Sequence, residues 1–189
     1  YNFLKPKKQG EDDSFKTIDD YDFFVEQYKT SCLMCNTKWL LYLEPDVVII
    51  NKINNFPLFH AGGAMHDFNT IDSTITNYIN KFRSCNKKTK YVYSLAGGFI
   101  ANRMTLLSVI TNDWKKHITY ALTNFQNDNP EGYNELSHGD AFLSYLFYIN
   151  GYDIEDWNEL AEIHLENQQY KILFTRISII HGFKYFYSN

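Results

Sequence analysis

The run Trp39-Leu40-Leu41-Tyr42-Leu43 is apolar throughout and stops against Glu44-Pro45-Asp46, two carboxylates flanking a proline. Five apolar residues are too few for a helix and suit a buried strand. Proline cannot donate to a sheet ladder, so Pro45 marks the end of that strand. Val47-Val48-Ile49-Ile50 takes up strand character again beyond the break. In α/β sheets, ligand crevices lie outside the carboxyl ends of the strands, so this corner is the first place to look for chemistry.

The remaining sequence alternates helical and strand-like stretches. Residues 1–20 are polar and read as a loop or substrate-covering segment. Asp19 or Asp20 is placed to cap a helix from Tyr21 to about Cys35, with Phe23, Phe24, Gln27, Tyr28, Ser31 and Cys32 at helical spacing. A second helix is expected from Asp72 to about Phe82, before a lysine-rich turn at Lys87-Lys88. Tyr91-Val92-Tyr93-Ser94 is strand-like and runs into Ala96-Gly97-Gly98-Phe99-Ile100-Ala101. Helical periodicity then covers Met104 to about Thr123, with Trp114 on its apolar side. A polar loop, 124–135, leads to a helix over Asp140–Asn150, for which Gly151 is the C-cap. Ile163-His164-Leu165 and Ile177-Ser178-Ile179-Ile180 are late strand candidates. This order predicts one α/β layered domain. No internal repeat is visible, and the spread of Asn, Lys, Ile and Tyr suits an AT-rich genome.

Composition removes several classes. The chain has 189 residues, is 44% hydrophobic and carries 15 Tyr, 15 Phe and 3 Trp, enough for a sizeable core. A net charge of −4 argues against a phosphate-backbone binder, so no nucleic-acid partner is expected. No apolar run approaches the roughly 20 residues of a membrane span. Three cysteines do not make a disulfide framework, which points to a reducing, cytoplasmic compartment. The sequence begins at Tyr1 rather than Met, so the lack of a signal peptide does not exclude an upstream leader or anchor.

Four places carry candidate chemistry. Glu44 and Asp46 alternate along an extended chain and can face one side. Paired carboxylates suit Mg²⁺ or Mn²⁺, while the plainer alternative is a solvated strand-to-loop corner. His181-Gly182-Phe183-Lys184 offers an imidazole, which shifts preference toward Mn²⁺, and a point charge for a phosphate oxygen. A structural histidine is the alternative there. Ala96-Gly97-Gly98 removes side chains and allows a ligand close to the backbone, or else serves packing. Ala61-Gly62-Gly63-Ala64 reads as a similar small-residue loop. Asp140 opens a helix, as a functional acid or as a simple cap. Cys32 and Cys35 have redox or zinc spacing, but there is no second Cys pair and the apolar, helical setting favours packing; His117 and His164 look structural. Neither a G-x-G-x-x-G fingerprint, a P-loop nor a G-x-S-x-G elbow is present.

In this order, the acid-x-acid motif, the Ala-Gly-Gly-Phe-Ile stretch, the acid opening a helix and the terminal His-x-x-Lys resemble a GT-A glycosyltransferase. The closest sub-pattern is similar to the retaining, Mn²⁺-dependent glycogenin-like and bacterial galactosyltransferases. Capsid glycosyltransferases of large DNA viruses, such as chlorella viruses, are similar in size and composition. The resemblance spans about Tyr21 to Lys184 and implies a Rossmann-like mixed sheet flanked by helices. It implies that Glu44 and Asp46, at the position of the DxD motif, and His181 bind the metal, and that Lys184 contacts the donor diphosphate. Ala96, Gly97 and Gly98 would lie under the donor sugar, Asp140 near sugar and acceptor, and Lys29 at a cationic donor contact. The first acid is Glu rather than Asp, and H-x-x-K is shorter than the glycogenin-like H-x-x-G-x-x-K. The family's nucleotide-holding first βα unit is expected before Tyr1.

The implied activity is metal-dependent sugar transfer from a nucleoside-diphosphate sugar, UDP-sugars foremost, to a glycan or glycoprotein acceptor, with retention. The cofactor is Mn²⁺ or Mg²⁺, acting as Lewis acid on the departing diphosphate. Ligation needs neutral imidazole, so activity is expected to fall below about pH 6. A metal-dependent phosphoryl or nucleotidyl transferase would want a further carboxylate for a second metal. A noncatalytic carbohydrate-binding or capsid-associated module could use the aromatics for stacking, without needing an acid pair and a histidine.

Overall fold

A computed structural model describes residues 15, 17–44, 47–64, 71, 73–83, 91–92, 95, 98–128, 136–162 and 179–181. Among them the chain is mixed α/β, with five helices and two sheets. The helices are α1 (Ile18–Met34), α2 (Ser73–Arg83), α3 (Arg103–Thr111), α4 (Trp114–Asp128) and α5 (Gly139–Ile149). The strands are β1 (Trp39–Leu43), β2 (Val48–Ile49), β3 (Ala61–Gly63), β4 (Gly98–Asn102), β5 (Ile154–Asp156), β6 (Leu160–Glu162) and β7 (Ile179–His181).

The helix α1 starts three residues before the expected Tyr21, because the cap is Thr17 rather than Asp19 or Asp20. Asp20 is the third helical residue, and its carboxylate accepts the Thr17 backbone N–H at 2.8 Å, closing a capping box. The buried stripe is Tyr21, Val25, Tyr28 and Cys32, which leaves Phe23 and Gln27 in solvent. The single helix expected over Met104–Thr123 is two helices. Asp113 takes a left-handed φ of 46°, and the Asn112 and Asp113 turn splits α3 from α4. The predicted end of α5 is observed. Gly151 has φ 86°, its N–H bonds the Tyr148 carbonyl, and the Tyr152 N–H bonds that of Phe147, a Schellman motif.

The larger sheet has the order β1-β4-β3-β5, mixed because β3 and β5 run parallel while the other pairs are antiparallel. The run Trp39–Leu43 is therefore an edge strand rather than the buried strand expected, with Leu41 and Tyr42 exposed. The stretch expected as a small-residue loop at Ala61-Gly62-Gly63 is the inner strand β3. Its small size is a packing requirement, since a Cβ on Gly62 would stand 2.8 Å from Trp157 Cβ. Of the strand expected over Tyr91–Ser94, only an isolated bridge at Val92 is described. The smaller sheet has the order β2-β7-β6, with β2 and β7 antiparallel and β6 and β7 parallel. The candidate strand 163–165 lies outside the described residues.

Alternation along β1 and β4 divides the core. Leu40, Phe99 and Ala101 face the helices, while Trp39, Leu43 and Ile100 face Trp157 and Leu160. On the helical side, α5 is buried at every residue from Ala141 to Ile149, as its all-round apolar sequence requires. Phe142 anchors it among Phe15, Tyr21, Phe24 and Trp114. Among the described residues no helix is long and apolar enough to cross a membrane.

Candidate functional site

Three elements meet at one corner: the carboxyl end of β1, the start of α5 and the middle of α1. Glu44 follows β1 directly, and its carbonyl accepts the Val47 N–H at 3.1 Å. Asp140 is the second residue of α5; His138 holds the N-cap, so Asp140 is not the cap that its position first suggests. Its carboxylate still accepts backbone N–H groups, those of Asp140 and Ala141.

The charge of Glu44 reaches Asp140. Burial holds the Asp140 carboxyl above the ordinary carboxylate range, the backbone N–H groups and His138 oppose this, and the charge of Glu44 pushes it up further. The same two charges reach Tyr28, whose phenol is raised first by burial, then by Tyr42, Glu44 and Asp140. The Tyr28 and Tyr42 hydroxyls interact with one another, and Tyr42 also feels Glu44. The rings of Tyr28, Tyr42 and Phe99 pack with centroids 5.4–5.8 Å apart. Neither tyrosine stood out in the sequence. The available signal was Tyr42 alternating with Glu44 on one face of an extended chain.

The smaller sheet bears on the same corner. Val48 pairs with Ile180 and Ile49 with Ile179, so one step further the register sets His181 opposite Val47. In the parallel pair, Glu162 lies beside His181. The backbone of His181 is thus brought opposite Val47, whose N–H the Glu44 carbonyl accepts.

Gly98 opens β4 directly across from Leu43. With φ 154°, a Cβ there would meet the Tyr42 carbonyl oxygen at 3.1 Å, so glycine lets β1 and β4 close together just before Glu44. Lys29 bonds Glu26 on its own helix at 2.7 Å. Asp46, Ala96, Gly97 and Lys184 lie outside the described residues, as does the side chain of His181. Among the described residues no three His, Cys, Asp or Glu side chains converge on a metal position. Glu159, the most buried acid among the described residues, serves structure: it accepts the Asn54 and Asn55 N–H groups at 3.2 and 2.9 Å. Cys32 is buried in the core as a free thiol, in keeping with the packing expected of it.

A cleft of about 300 Å³ opens beside this corner, lined by Gln27, Tyr28, Ser31 and Cys35 of α1 and its C-cap, and by Leu40, Leu41 and Tyr42 of β1. No protein-family model matches the chain, and no curated protein matches its sequence.

Proposed function

We propose that this chain is a metal-dependent glycosyltransferase of GT-A type. It would move a sugar from a nucleoside-diphosphate donor, a UDP-sugar foremost, to a glycan or glycoprotein acceptor. The observation that supports the reading is that the charge of Glu44, just past the end of a strand, reaches the half-buried carboxyl of Asp140 in the first turn of a helix, with the register setting β7 opposite Val47. Carboxylate and imidazole donors fit Mn²⁺, or Mg²⁺ in its place, and Glu44, Asp46 and His181 are the residues that would hold it. When bound, the ion supplies a positive charge to the diphosphate as the anomeric bond breaks.

The remaining work falls to the chain's own groups. Asp140 is a partly desolvated carboxylate, more basic than one in water, and suited to orient an acceptor hydroxyl or take its proton. Lys184 would add a point charge toward the diphosphate. Gly98 keeps the floor beside Glu44 free of a side chain. Retention of the anomer rests on the resemblance in sequence pattern alone.

The test is turnover of a UDP-sugar panel with Mn²⁺ and with EDTA, in the wild type and in Asp46→Ala. Turnover that requires Mn²⁺ and is lost in the variant, with an unchanged melting temperature without ligand, supports the assignment. Full activity in Asp46→Ala removes it.

A further inference from the structure

We infer that the edge of β1 away from β4, with which no strand pairs among the described residues, is a self-association surface, on which a second copy of this chain pairs its own β1 antiparallel about Leu41. The ladder geometry identifies the outward groups. The Arg103 N–H bonds the Lys38 carbonyl at 2.9 Å, in the same register that pairs Trp39 with Asn102. Positions 38, 40 and 42 therefore direct their backbone groups into β4, and Trp39, Leu41 and Leu43 direct theirs outward. The Asn102 N–H bonds the His60 carbonyl at 2.7 Å, which sends the even positions of β4 to β3 and agrees with this phase. Thr37 caps the outward carbonyl of Trp39 at 2.9 Å. Among the described residues no strand pairs with the outward side of Leu41 and Leu43.

Edge strands in monomers are commonly blunted by charge, proline or a bulge. Between Trp39 and Leu43 there is none of these. The nearest charges stand just outside, Lys38 at one end and Glu44 at the other. They select the occupant. In an antiparallel pair centred on Leu41, Leu41 meets its own copy, Leu40 meets Tyr42 and Lys38 meets Glu44, twice by symmetry. With Leu41 as the hydrogen-bonded pair, the other two are non-hydrogen-bonded pairs, the closer kind for side chains. Leu40 and Tyr42 also line the cleft between β1 and α1, so the second copy's Tyr42 and Leu40 would be set beside it. Each copy would bring its Lys38 to the acid corner of the other.

Sedimentation velocity across a concentration series, on the wild type, Lys38→Glu and the double variant Lys38→Glu, Glu44→Lys, tests this directly. Lys38 is exposed and precedes the strand, so the substitution spares the core. The wild type should dimerise. Lys38→Glu should weaken the dimer at least about tenfold by setting like charges opposite one another, and the double variant should recover it. A wild type that stays monomeric overturns the inference, as does a dimer indifferent to Lys38→Glu or one that the double variant fails to restore.

Discussion

The charge of Glu44 acts on the carboxyl of Asp140, although one acid follows the first strand and the other lies in the first turn of the last described helix. Asp140 sits in the half-buried first turn of a helix that is buried at every residue from Ala141 to Ile149. A hydrophobic helix fixes where its first turn lies, and so fixes Asp140.

Asp140→Asn should stabilise the protein at neutral pH while lowering transfer. Because folding raises this pKa, the native state keeps the proton to a higher pH than the unfolded chain does. Its contribution to stability is full below the unfolded pKa near 4 and is lost as pH rises through the folded value. Asparagine removes that loss and still accepts the backbone N–H groups. Thermal melts at pH 7 should show a gain of about 2 °C, shrinking toward pH 4. A variant less stable than wild type at pH 7 contradicts the desolvation account.

Gly98→Ala should cost about 1–2 kcal/mol, from an unfavourable φ and the contact of its Cβ with the Tyr42 carbonyl. For a chain of this size that lowers the melting temperature by roughly 3–6 °C. The β1–β4 pairing absorbs the change, so Glu44 shifts and donor affinity should fall in the same variant.

His117 is buried, its ring edge-on to Phe82 at 4.4 Å, and its Nδ1 has no hydrogen-bond partner among the described residues. Burial, with help from Lys116, pulls its pKa below the usual value, while Asp113 opposes. The unfolded chain takes up a proton near pH 6.5 and the folded chain resists it. Stability from this residue is therefore level above about pH 6.5 and falls as pH drops below, by at most about 1.4 kcal/mol per unit. Urea midpoints between pH 5 and 7 should flatten in His117→Leu, whose main-chain carbonyl still receives the Tyr145 hydroxyl.

The parts legible in the sequence were those with a local cause. The end of β1 was marked by Pro45, and the end of α5 by Gly151 with its left-handed φ. The acids at both ends of the site were singled out by position alone. What could not be read depends on distant partners. Whether Trp39–Leu43 lies inside a sheet or at its edge is decided by β4, and no local pattern encodes that. Ala61-Gly62-Gly63 looks like a loop until Trp157 is seen to pack over it. The break at Asn112 and Asp113 hides because helical periodicity resumes on both sides. The Tyr28 and Tyr42 pair arises from two elements whose contact is tertiary.

The most direct measurement is a thermal-shift comparison of UDP, GDP, CMP and ATP, each with Mn²⁺ and with EDTA. Nucleotide at a hundred times its dissociation constant adds roughly 2.7 kcal/mol, which for this size is a rise of roughly 5–10 °C. A rise with UDP or GDP that needs Mn²⁺, and that Glu44→Gln diminishes, is the result expected of a nucleotide-sugar transferase. No rise with any nucleotide, or one that EDTA leaves intact, contradicts it.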